Sequence, residues 1–130
     1  MSLSSSHHRW IKSFLFAGRG IRSVFTTELN FRIHLGMSLV VVVLGFILDV
    51  SLAQWTALVL SAGLVLAAEA LNTAIEYLAD ALHPDPDSKI ALAKDAAAAG
   101  VLIAAVAAAA VGAIVFLPEL WEWYQMRISQ

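Results

Sequence analysis

AAAAGVLIAAVAAAAVGAIVFL, residues 96–117, is a run of 22 residues without a charge, closed by Pro118. As a helix rising 1.5 Å per residue it reaches about 33 Å, enough to cross a hydrocarbon core of ~30 Å. The rest of the chain agrees. Of its 130 residues 60% are hydrophobic and 14% charged, with a mean hydropathy of +0.79. A water-soluble domain carries roughly 25% charged residues, so most soluble enzymes are excluded and a single domain living in lipid is expected. A net charge of −2 and a pI near 6.0 offer no broad basic surface, which argues against nucleic acid as a partner. The absence of cysteine removes disulfides, thiolate zinc sites and thiol nucleophiles.

Two further spans follow by working back from that run. One is uncharged from Leu52 or Trp55 to Ala68 and continues helically as EALNTAIEYLADAL. The other, Leu35 to Leu48, is 14 residues long before Asp49. Arg32 can snorkel at one of its ends, and Asp49-Val50-Ser51 can turn at the other. Before the spans, Trp10, Phe14, Ala17, Ile21, Val24 and Phe25 fall within about 100° of a helical projection, opposite Arg9, Lys12, Arg19 and Arg22. That pattern predicts an amphipathic helix lying on a membrane surface. Phe16 breaks it, sitting among the cations. HPDPDS, residues 83–88, reads as a loop. His7 and His8 are incidental neighbours in a polar N-terminus.

The expected architecture is an all-α membrane protein of one domain, 1–130. It has a surface helix over 8–27, transmembrane helices over 33–50, 52–82 and 90–118, and a cytoplasmic loop over 83–89. Seven of the eight Lys and Arg residues (all but Arg127) fall on one side of the spans, which predicts a cytoplasmic N-terminus and an outer C-terminus. Trp55, Trp121 and Trp123 then lie at the outer ends, as an interfacial aromatic belt. The small residues of the third span suit close helix packing.

The chemistry is concentrated in the second span. Glu69, Asn72, Thr73, Glu76 and Asp80 stand at offsets 0, 3, 4, 7 and 11, which places them within about 100° of one helix face. An acid at mid-membrane costs ~2.5–3.5 kcal/mol even on insertion scales, so such residues face protein and perform a function. Measured from Trp55, Glu69 lies about 21 Å along the axis, in the cytoplasmic half, and Glu76 about 32 Å, at the boundary. Asn and Thr alone would serve to glue helices; three acids in twelve residues call for something more. Glu28 and Lys94-Asp95 reach the same level, so Glu28, Glu69, Glu76, Asp80 and Asp95 crowd one interface beside Arg and Lys. A divalent cation would relieve their repulsion, and hard oxygen donors favour Mg²⁺ over zinc. Metal for phosphates, cations for developing charge and a carboxylate to accept a hydroxyl proton together suggest phosphoryl transfer at a membrane surface. No Walker A sequence, Gly-rich kinase loop or kinase catalytic loop is present, and Gly18-Arg-Gly20 is too short to count as one.

Glu69-Ala-Leu-Asn72-Thr-Ala-Ile-Glu76, followed by Asp80 and Ala93-Lys94-Asp95, resembles the signature of the prokaryotic diacylglycerol kinase and undecaprenol kinase family. Glu28-Leu-Asn-Phe-Arg32 resembles it as well, and the similarity runs from about Arg9 to Pro118. The resemblance implies an ATP- and Mg²⁺-dependent lipid kinase of the bacterial cytoplasmic membrane. It implies a homotrimer of three-span subunits with a surface helix, whose active sites are shared between subunits. Carried over residue by residue, Glu69 would be the general base, and Glu28 and Glu76 would be metal ligands bridging to ATP. Asn72 would orient the base region, and Lys94 and Asp95 would contact the nucleotide. Arg9 and Lys12 match basic positions that serve ATP and phosphate. Phe16 stands where relatives usually carry a tyrosine near the nucleotide. Asp85-Pro86-Asp87 departs from the Glu-Tyr-His of some relatives, with Asp85 alone keeping a comparable acceptor. Arg32, Thr73 and Asp80 complete the polar stripe in support.

The implied substrate is a lipid alcohol, diacylglycerol or undecaprenol. Asn30-Phe-Arg-Ile-His34 and Asn72-Thr-Ala-Ile-Glu76 lean towards the polyprenol branch. Two other readings stay open: a polyprenyl-phosphate phosphatase using the same metal site, and a non-enzymatic membrane adaptor held together by its acids.

Overall fold

A computed structural model describes residues 3–128. The described residues form four helices: α1 (Leu3–Thr27), α2 (Leu29–Ile47), α3 (Leu52–Leu82) and α4 (Ser88–Ile128). The last three are long and apolar enough to cross a membrane. They run antiparallel in sequence order. Contacts pair Gly45 with Trp55 and His34 with Glu69 across α2 and α3, and Gln54 with Glu119 and Asp80 with Lys94 across α3 and α4.

The joints explain where the helices stop. Thr26 and Thr27 turn their hydroxyls towards the carbonyls of Arg22 and Ser23, and the Glu28 N–H still reaches the Val24 carbonyl at 2.9 Å. Glu28 then takes an extended conformation (φ −101°, ψ 115°) before α2 begins. The break between α1 and α2 is thus a single residue, and α2 starts four residues ahead of the expected span at 33. Neither Gly nor Pro marks the joint, so it leaves no ordinary breaker signal in the sequence.

At the other end of α2, Asp49 adopts a left-handed conformation (φ 51°), a region that short polar side chains tolerate better than most. Ser51 opens α3 with a capping box. Its hydroxyl accepts the Gln54 backbone N–H at 3.4 Å, and Gln54 Oε1 accepts the Ser51 N–H at 2.6 Å. The turn is tight because Trp55 lies against Gly45, where any Cβ would come within 2.7 Å of the indole. Phe46 packs on the same indole at 5.0 Å between centroids. Trp55 is therefore an interhelical packing residue as well as an end-of-span aromatic.

In the loop between α3 and α4, Asp87 accepts the N–H groups of Lys89 (2.7 Å) and Ile90 (3.1 Å) and starts α4. The Ile90 and Lys89 amides hold its carboxyl below the usual carboxylate range. α4 does not stop at Pro118. The proline removes one amide from the ladder, leaving the Ile114 carbonyl without its usual donor, yet the helix continues to Ile128. Membrane helices tolerate such a residue where neighbouring groups re-satisfy the backbone.

The buried core is small and lies at the α2–α3 turn: Val50, Leu58, Val115 and Phe116, with Leu44 and Trp55 packed against them. Most large apolar side chains elsewhere are exposed on the single chain, the inverse of a soluble protein and the pattern of a surface that meets lipid or other helices.

Candidate functional site

α3 carries the polar stripe, and its opposite end from the apolar core is where the other polar elements converge. Glu69 is the most enclosed charged residue described, 3% exposed. Thr73, one turn on and also buried, donates its hydroxyl to the Glu69 carbonyl at 3.0 Å and so carries no polar burden of its own. From α2, His34 brings Nε2 to 3.4 Å from Glu69 Oε1. Glu76 follows two turns on along α3 and Glu28 lies at the α1–α2 joint.

One turn further along α3, Asn72 donates its amide to Glu76 Oε1 at 2.7 Å. Its own Oδ1 is buried and lacks a partner. A buried oxygen left unpaired costs about 1–3 kcal/mol, which makes Asn72 a costly residue to place here among the described residues. Glu28 is anchored from two sides. Thr27 Oγ1 lies 2.9 Å from Oε1, the Tyr77 hydroxyl lies 3.4 Å from the same oxygen, and the two hydroxyls are 2.7 Å apart. This knot ties the α1–α2 joint to α3. Lys94 of α4 is held by Asp80 of α3 at 2.8 Å.

The structure thus brings Glu28, Glu69, Asn72, Thr73 and Glu76 into one neighbourhood, with Asp80 and Lys94 paired one turn beyond Glu76. Asp95, Arg32 and Asp85 are exposed, and their side chains make no ion pair among the described residues. Arg9, Lys12 and Phe16 lie apart. α1 is continuous, so Phe16 stands about 18 Å from Glu28 along its axis and Arg9 about 28 Å. Phe16, 61% exposed, instead carries Arg19 over its ring at 5.7 Å.

Metal fit can be judged from the donors. Among the described residues no three of His, Asp and Glu converge as a self-sufficient metal site. Mg²⁺ does not demand one, since it commonly takes one or two carboxylates plus phosphate oxygens and water. The Glu28 and Glu76 carboxylates and the orphaned Asn72 Oδ1 are hard oxygen donors of the right kind. The residues present fit a phosphate-bound Mg²⁺.

Against known sequences, residues 15–116 match the prokaryotic diacylglycerol kinase family. The chain belongs to that family. It is 38% identical over 113 residues to the undecaprenol kinase of Bacillus subtilis (strain 168), a match covering 87% of this chain and 92% of that protein. It is also 38% identical over 109 residues to a diacylglycerol kinase of Synechocystis sp. (strain PCC 6803), covering 83% of this chain and 62% of that one. Membership makes the chain an enzyme of the lipid-kinase class and a membrane protein, in line with its three apolar helices.

Within this family member, sequence reading gave no role to His34, Tyr77 or Thr27. A signal for His34 existed: an imidazole one turn inside an apolar span is costly for the same reason as Glu69. Tyr77 lies off the stripe, and Thr27 lies before the first span. Only the folded α2–α3 pair reveals them.

Proposed function

We propose that the protein transfers the γ-phosphoryl group of ATP to the hydroxyl of a membrane lipid alcohol, in a Mg²⁺-dependent reaction at the cytoplasmic end of its spans. The observation that carries this reading is the enclosed Glu69, set within the apolar length of α3 with His34 beside it. Glu69 is the general base: it takes the hydroxyl proton as the lipid oxygen attacks the γ-phosphorus and the bond to the ADP oxygen breaks. Glu28 and Glu76 would hold Mg²⁺, with Asn72 steering Glu76 through their hydrogen bond. Bound there, the metal would neutralise charge on the phosphates. Lys94 and Asp95 contact the nucleotide, together with Asp85; Arg32, Thr73 and Asp80 support the arrangement.

Arg9, Lys12 and Phe16 join the site from a neighbouring subunit of a homotrimer. Their separation from Glu28 along α1, about 18–28 Å, supports this division. α1 lies on the cytoplasmic membrane surface with the N-terminus inside and the C-terminus outside.

Undecaprenol is the first substrate to test. The relative named undecaprenol kinase matches over 92% of its length, the one named diacylglycerol kinase over 62%. The deciding assay offers both lipids side by side to detergent-solubilised protein with ATP, with and without Mg²⁺. The expected result is a lipid phosphate formed only when ATP and Mg²⁺ are both present, faster from undecaprenol. Faster turnover of diacylglycerol would reverse the substrate assignment. Phosphate release from a polyprenyl phosphate without nucleotide would identify a phosphatase, and no turnover of either kind would leave an adaptor.

A further inference from the structure

His34 links the enclosed Glu69 carboxylate to a cleft between the helices. Its imidazole, 26% exposed, faces Glu69 Oε1 at 3.4 Å, whereas the Glu69 side chain is only 5% exposed. On its other side it lines an apolar cleft of about 440 Å³ between α2, α3 and α4, together with Ile33, Met37, Val41, Ala108 and Phe116. Glu69 does not line this cleft. His34 is on α2 and Glu69 on α3, so the contact depends on the α2–α3 packing and is not a neighbour effect along one helix.

We infer that His34 is a positioning residue for phosphoryl transfer: its Nε2 edge fixes the orientation of the Glu69 carboxylate and sets it to accept the lipid hydroxyl proton. A carboxylate on a two-torsion stem has several orientations open to it in an enclosed site. An imidazole edge 3.4 Å from one oxygen favours one of them over the rest. The contact also gives Glu69 a polar partner where solvent is scarce, which an acid at this depth requires. This role rests on the reading of Glu69 as general base.

The test is a double-mutant cycle between His34→Ala and Glu69→Gln, measured on assembled, purified protein with kcat and both KM values determined separately. His34→Ala is expected to lower kcat by about 10- to 100-fold, the scale seen when residues orienting a working ligand are removed, with the KM for ATP unchanged. In the Glu69→Gln background the same substitution is expected to cost almost nothing further, because there is no base left to position. His34→Gln, whose amide can place an N–H near the Nε2 position, is expected to recover part of kcat. Multiplicative losses in the double mutant would overturn the inference, as would a rise in lipid KM at unchanged kcat, or a Gln variant no better than Ala. Should His34→Ala fail to assemble, the Gln variant and its coupling to Glu69→Gln decide the matter. A near-normal kcat in Glu69→Gln alone defeats the base reading itself. A collapsed Glu69→Gln with multiplicative His34 losses removes only the role of His34.

Discussion

Glu69 and Glu76 share one face of α3 yet meet different surroundings, and the difference suits two roles. Glu69 is enclosed and faces a histidine from another helix; Glu76 is half-buried and receives the Asn72 amide. With 1.5 Å of rise per residue they stand about 10 Å apart along the axis, and the proposed function sets Glu69 towards the lipid hydroxyl and Glu76 towards metal and nucleotide. Glu76→Gln keeps shape and removes charge. It should therefore weaken Mg²⁺-ATP binding and abolish turnover while leaving assembly intact. Titration of the variant with Mg²⁺-ATP checks this, and an unchanged affinity would take Glu76 out of the metal site. Much of this residue-scale picture was legible in the sequence, because acids at 3.6-residue spacing in an apolar helix are costly and therefore conspicuous. His34 and Tyr77 were not legible in the same way. Each works through a contact across helices, with Glu69 and Glu28 respectively, that no spacing along one helix encodes.

Among the elements, the α2–α3 hairpin sets the register that brings His34 to Glu69. Its tightest point is Gly45 against Trp55, where an added Cβ would lie 2.7 Å from one indole carbon and 2.8 Å from another. Gly45→Ala must push the ring or the helix aside, at a cost of about 1–3 kcal/mol. The expected outcome is a lower thermal midpoint in detergent together with a loss of kcat, since a displaced α2 carries His34 with it. An Ala variant as stable and active as the wild type would show that the hairpin register does not depend on this contact. The uncharged runs made the three spans readable, because lipid permits few alternatives to a helix. The joints were harder to read. The Glu28 break is one residue in an extended conformation with neither Gly nor Pro to announce it, and Pro118 fails to end α4 even though proline commonly stops helices. Trp55 reads as a belt residue from its position alone; its packing on Gly45 emerges only when α2 folds back.

For the molecule as a whole, the single chain leaves the basic end of α1 remote from the acids of α3, and the proposed trimer closes that gap. Mixing subunits tests it. Trimers assembled from equal amounts of Glu69→Gln and Arg9→Ala/Lys12→Ala chains should regain about a quarter of wild-type activity if each site takes its base from one subunit and its cations from the next around a closed ring. A site complete within each chain would regain none. The central claim, transfer of phosphate from ATP to a lipid alcohol with Glu69 as base, is tested most directly by following the labelled γ-phosphate of ATP in wild-type and Glu69→Gln protein. Wild type should move the label to the lipid. Glu69→Gln should bind Mg²⁺-ATP and assemble normally while kcat falls by about 10²- to 10⁴-fold, the usual contribution of general-base catalysis, with little change in either KM. A stable Glu69→Gln variant that labels the lipid at a near-normal rate would contradict the account.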